Sequence, residues 1–196
     1  MCPPKVQAFE YPLAGKISHE FWGLDPGLNN TGIFVLGYSE KKHQIAPILT
    51  RTYYSNQAGT ESKEDKSFIH RTARFCDWFY RFFWPHSTMM TKKIFCVEDF
   101  TFQFKARKAG YNSAKFVGVI LGMLHCLERP NGPLFPPVLL PTAGQHKRFG
   151  SDAQGLEFTI RNQGLIAPTT DHEKDALSLA WFAFRQFQEG EIPNVL

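Results

Sequence analysis

Apolar and polar positions along the chain divide it into a few well-marked elements. EFWGLD, residues 20–25, is a short apolar run ending in Asp-Pro-Gly, which reads as a strand closed by a turn. After Asn29-Asn30-Thr31-Gly32, IFVLGY predicts a second strand and QIAPILTRTYY a third, so the chain opens as an antiparallel meander. From Asp65 to Trp84 the period lengthens. Phe68, Phe75, Trp78, Phe79, Phe82 and Phe83 recur at three- and four-residue spacings, with Arg71, Arg74, Asp77 and Arg81 between them. This is an amphipathic helix, which Pro85 should end. KKIFCVED is apolar through its middle and predicts a central fourth strand. SAKFVGVILGMLHCLE predicts a second helix, closed by Arg-Pro-Asn-Gly-Pro, and PPVLLP a short fifth strand. A last helix covers Glu173 to Phe187, opened by Thr170 and Glu173 in capping-box spacing. The order, three strands, helix, strand, helix, strand, helix, predicts a mixed α/β layer with helices packed on a sheet. Residues 1–19 read as an extension, 20–190 as one domain and 191–196 as a tail.

Composition fits this picture. At 196 residues, 43% hydrophobic and 20% charged, the chain can bury a real core. The 19 phenylalanines must line that core, with some to spare for stacking on bases. The stripe from Phe68 to Phe83 reads as core, wide enough to leave room for a subunit contact. Net charge is +4, which permits a polyanionic partner without establishing one. Its distribution says more: between Gln103 and Gly150 lie seven basic residues and one acid, a local charge of +6. Cys2, Cys76, Cys96 and Cys126 show no C-x-x-C pairing, so neither a disulfide framework nor a zinc site is suggested. No apolar leader and no membrane-length run is present, and a cytoplasmic, reduced setting is expected.

The chemistry is carried by acids at element ends. Asp25 closes the first strand, Glu98 closes the fourth, and Asp175 lies one turn into the last helix. Read singly, each has a plain alternative: a turn initiator, a solvated strand end, a charge near a helix N-terminus. Read together, they can converge at one end of a sheet, where crowded like charges call for a proton or a cation. Magnesium, which takes hard oxygen ligands, is the natural candidate, and two such ions could clamp an in-line phosphodiester displacement.

These motifs resemble the RuvC family of Holliday-junction resolvases, within the ribonuclease H-like superfamily. GLDPGLNNTG at 23–32 is similar to that family's first strand, metal-binding Asp and hairpin. VEDF at 97–100 resembles its second acidic motif. PTAGQHKRFG at 141–150 resembles the stretch carrying a basic residue near the scissile bond, and DHEKDALSLAWF at 171–182 its terminal helix. The resemblance covers roughly residues 20–187. It implies a ribonuclease H-like mixed five-stranded sheet with helices on both faces, and metal ligation by Asp25, Glu98, His172 and Asp175. His172 stands where the family's four-acid pattern has Asp, although some members carry His there. At i and i+3, His172 and Asp175 share a helix face. His172 could ligate a metal, orient the attacking water or move a proton. Asp171 is a possible substitute for the missing acid.

For nucleic-acid contact, Lys105, Arg107 and Lys108 follow Glu98 closely and suit phosphate, or else form a solvated loop. Among Lys147 and Arg148, the resemblance favours Lys147 near the scissile phosphate. It also places Phe100 and Phe102 near base stacking, though both could be core. Ala114, Gly118 and Gly122 would let the second helix closely approach the sheet or, as the resemblance implies, a partner subunit. The expectation is a Mg2+- or Mn2+-dependent endonuclease, with two ions per site, acting as a homodimer on four-way DNA junctions. Water would attack phosphorus and the 3′ oxygen leave, giving 5′-phosphate and 3′-hydroxyl nicks. A broader debranching nuclease and a non-catalytic junction binder are the alternatives.

Overall fold

The structure is a computed structural model that describes residues 17–27, 29–55, 67–86, 91–99, 107–129, 132–133 and 136–192. The chain opens with β1 (His19–Asp25), β2 (Asn30–Ser39) and β3 (Gln44–Tyr54). Helix α1 (Phe68–His86), β4 (Lys92–Val97) and α2 (Arg107–His125) follow. Next come the two-residue strands β5 (Glu128–Arg129), β6 (Gly132–Pro133) and β7 (Val138–Leu139). Short α3 (Ala143–His146) runs through a 3-10 turn (Lys147–Phe149) into α4 (Gly150–Asn162), and α5 (Asp171–Gln188) completes the fold. The main sheet has five strands in the order β3-β2-β1-β4-β7. β1, β2 and β3 pair antiparallel, whereas β4 joins β1, and β7 joins β4, in parallel. This is the expected meander followed by parallel additions.

Every residue of β1 is buried, as a central strand between two helical layers requires. Its side chains alternate between two cores. Trp22 and Leu24, with Ile33, Phe95 and Val97, pack against Phe75, Phe79 and Phe83 of α1 and Ile120 of α2. Phe21, with Phe34, Ile94 and Cys96, packs against Ile160 of α4 and Leu177, Ala180 and Phe184 of α5. Helices therefore cover both faces.

Helix α5 lies unusually close to the strands, and two glycines make that possible. A Cβ on Gly23 would stand 1.9 Å from the carbonyl oxygen of Ala176, and one on Gly32 would stand 2.0 Å from that of His172. Only glycine allows backbone to meet backbone at such range.

Several details differ from the sequence expectation, among them the end of α2, at His125 rather than Glu128, which opens β5 instead. Helix α1 continues through Pro85 to His86, so the proline stands in its last turn and the helix ends one residue beyond it. Helix α2 begins at Arg107, six residues before the apolar stripe, across polar RKAGYN. Helix α4 was not predicted: only Ala153, Leu156 and Ile160 are buried on it, the weak helix former Gly155 stands in its middle, and Phe158 faces outward. Finally, among the described residues a Cβ on Gly118 or Gly122 would meet nothing within 4 Å, so these positions do not mark an approach to the sheet. No described helix is long and apolar enough to cross a membrane.

Candidate active site

Strand alternation sets two of the acids. Asp25 ends β1 on the side of Phe21 and Gly23, the side that α5 covers. Glu98 follows β4 in step with Ile94 and Cys96, which face the same core. Its backbone N–H reaches the Leu24 carbonyl at 3.4 Å, so the carboxylate stands beside the end of β1.

The N-terminus of α5 supplies the other two ligand candidates, and a buried acid fixes its position. The Thr170 hydroxyl accepts the Glu173 N–H at 3.2 Å, the expected half of the capping box. The return half is displaced by one residue. Glu173 accepts from the Thr169 N–H at 2.7 Å and from the Thr169 hydroxyl at 2.9 Å, and Thr52 of β3 donates to its other oxygen at 2.9 Å. Burial alone would raise the Glu173 pKa, but these hydrogen bonds outweigh it and hold the carboxyl below its usual value. Glu173 thus pins α5 to the sheet.

With α5 held there, His172 Nδ1 comes within 2.6 Å of Asp25 Oδ2. Asp25 is only 8% exposed. Burial pushes its pKa up to about 6; the His172 hydrogen bond and charge oppose the rise, while Asp175 and Glu98 add to it. The three acids therefore share one electrostatic neighbourhood. Because Nδ1 is engaged by a carboxylate, the neutral ring keeps its lone pair on Nε2, which has no hydrogen-bond partner among the described residues. Asp175 is exposed. Asp171 is turned away, its side chain 95% exposed and paired with Lys174 at 3.0 Å, so it does not replace the missing acid.

Sequence reasoning passed over His146. This side chain is 1% exposed, with Nε2 3.4 Å from Glu98 Oε1 and Nδ1 3.3 Å from the Ser178 hydroxyl. The only signal was its place directly before Lys147 in PTAGQHKRFG, where the charged neighbour drew attention.

No family model matches this chain, and no curated protein sequence matches it. Similarity lies in the structure. Thermus thermophilus RuvC, solved in complex with a Holliday junction substrate, superposes with a TM-score of 0.59 at 18% identity, covering 87% of this chain and 96% of that one. The yeast mitochondrial Holliday junction resolvase Ydc2 gives a TM-score of 0.56 at 12% identity, covering 92% of this chain and 85% of its own. The fold is that of RuvC. It is the mixed ribonuclease H-like sheet that the sequence motifs implied.

On this RuvC fold, a cleft of about 630 Å³ opens between α4 and α5 and borders the acids through Asp175 and Ser178. Lys147, Ser151, Gln154 and Lys174 also line it. Lys147 and Arg148 are both exposed on the 3-10 turn. Phe100, Phe102 and Lys105 lie outside the described residues, as do the side chains of Arg107 and Lys108, whose backbone forms the start of α2.

Among the described residues, no three His, Cys, Asp or Glu side chains converge closely enough to enclose a cation as they stand. His172 takes up Asp25 Oδ2, and His146 takes up a Glu98 oxygen. The donor chemistry still fits a hard divalent ion: three carboxylates and one imidazole, with two neighbouring acids making a bare charge on Asp25 costlier and a cation more favourable.

Proposed function

We propose that this chain is a divalent-metal-dependent endodeoxyribonuclease that resolves four-way DNA junctions by paired nicks. The observation that carries this reading is the buried Asp25 carboxylate in contact with His172 and under the field of Glu98 and Asp175, on a RuvC fold. A pure junction binder gains nothing from anions gathered beside a phosphate.

Asp25, Glu98, His172 and Asp175 would hold the magnesium or manganese, which supplies Lewis-acid catalysis of phosphodiester hydrolysis. The chain's own residues do the rest. Asp25, poorly solvated, favours an added positive charge over its isolated ionised state. His172 keeps Nε2 free to orient water or to take a proton. Lys147, exposed at the lip of the α4–α5 cleft, suits a phosphate of the cut strand. The domain proposed to carry this activity spans residues 20–190, in a cytoplasmic setting. Pairing of two copies would match the near two-fold symmetry of a four-way junction and place one site on each of two opposed strands.

The test is incubation of labelled four-way junctions, forks, flaps and linear duplex with protein and Mg2+, beside an Asp25→Asn variant. Symmetric nicks in the junction, carrying 5′-phosphate and 3′-hydroxyl ends and absent with the variant, are expected. Equal cleavage by the variant would overturn the site assignment. Binding without cleavage by the wild type would overturn the enzymatic reading.

A further inference from the structure

We propose that His146 is a positioning residue that aims the Glu98 carboxylate toward a cation and couples it to helix α5. This rests on the metal-site reading above and adds to it a residue outside the ligand set. At 1% exposure His146 cannot touch DNA, so any influence must pass through its neighbours. Among the described residues its ring makes the hydrogen bond to the Glu98 carboxylate, at 3.4 Å, and its other nitrogen meets Ser178 at 3.3 Å. Ser178 is three residues beyond Asp175 and shares its helix face. The series Ser178, His146, Glu98 therefore ties the end of β4 to the helix that carries His172 and Asp175.

The chemistry of the donor matters. Ionised Glu98 can only accept, so Nε2 carries the proton, and in the neutral ring Nδ1 accepts from the Ser178 hydroxyl. A lysine or arginine at this place would cancel the charge of Glu98 and compete with a cation. A neutral N–H fixes the direction of the carboxylate and leaves its charge available. Both contacts are at the long end of hydrogen bonding, and His146 meets only Oε1 of the Glu98 carboxylate. Glu98 lies just past the last paired residue of β4, and the His146 contact restricts the rotamers open to its carboxylate.

The test is calorimetric titration of the whole chain with Mn2+, without DNA, alongside kcat and KM for junction cleavage and a thermal melt. His146→Leu keeps the volume and removes both nitrogens. It is expected to weaken Mn2+ binding by about 10–100-fold and to lower kcat with KM unchanged. His146→Gln retains a donor near Nε2 and should recover Mn2+ binding to within a few-fold. Wild-type Mn2+ affinity in His146→Leu, or no rescue by His146→Gln, overturns the proposal. Should His146→Leu fail to fold, Ser178→Ala removes the outer contact alone, and an unchanged Mn2+ affinity there overturns it equally. Asp25→Asn and Asp175→Asn belong in the same titration. If they also bind Mn2+ as the wild type does, the metal-site reading has failed; if only the His146 and Ser178 variants do, the positioning role alone has failed.

Discussion

Replacing Asp25 by Asn keeps the shape of the side chain and removes a charge that the fold tolerates poorly without a cation. The size of the effect follows from the carboxyl's environment. Its pKa rises from 3.8 to about 6, chiefly through burial. At about 1.4 kcal/mol per pKa unit, the ionised form costs the metal-free fold roughly 3 kcal/mol. The sign is fixed by proton uptake. Between pH 3.8 and about 6 the folded chain holds a proton at Asp25 that the unfolded chain has released, so this residue lowers stability as pH rises through that window. Above it the penalty is complete. Asp25→Asn should therefore melt higher than the wild type in EDTA at pH 7, by roughly 6–12 °C for a domain of this size. A divalent ion should invert the order, since it stabilises only a chain that binds it. The assay is a series of thermal melts from pH 4 to 8, in EDTA and in millimolar Mg2+ or Mn2+. The difference between the two proteins isolates Asp25 from other titrating groups. If Asp25→Asn melts at or below the wild type in EDTA at pH 7, the His172 hydrogen bond outweighs burial and the reasoning is wrong.

Three further outcomes follow from the packing around the site. Glu173→Gln should cost about 2–4 kcal/mol, since hydrogen bonds to a charged buried acceptor are lost. Because Glu173 is held below its usual pKa of 4.5, its contribution is present above that pH and fades as pH falls through the folded value, so urea melts of the variant should lose part of the acid-side slope. Gly23→Ala and Gly32→Ala should each destabilise by at least ~1–3 kcal/mol, because the new methyl group would run into helix backbone. Wild-type urea midpoints would show that α5 does not rest on those strands. Lys147→Ala should leave the melt within ~0.5 kcal/mol of wild type and reduce the slope of log Kd for junction DNA against log salt by about one, read by fluorescence anisotropy. An unchanged slope would remove Lys147 from the phosphate contacts.

The strands were legible because both periodicity and turn chemistry announced them: Asp-Pro-Gly after β1, and a continuous apolar run for β4. Helix α5 was legible from Thr170 and Glu173, although the side chain of Glu173 turned out to reach Thr169 and Thr52. Asp25 and Asp175 could be singled out because each sits in a short motif at an element boundary. His146 could not, because nothing local distinguishes a buried imidazole from a surface one beside Lys147 and Arg148; its role depends on Ser178, 32 residues away. Helix α4 was missed for a related reason. A helix that buries only three side chains against α5 and the sheet carries too little apolar signal to stand out from a loop.

The glycine seats under α5 bear on how this site can move. With no side chain at Gly23 or Gly32 to hold helix and strands apart, Asp25 cannot part from His172 by a local swing of the helix. Separation would expose Phe21, Leu177, Ala180 and Phe184, which is the opening of the core itself. Amide protons of the buried stretch of α5 from Leu177 to Ala180 should therefore exchange with solvent only through near-global unfolding, as slowly as those of β1. The ligand candidates would then share the slow opening of the core, and under the proposed function adaptation to a branched substrate would fall to surrounding segments.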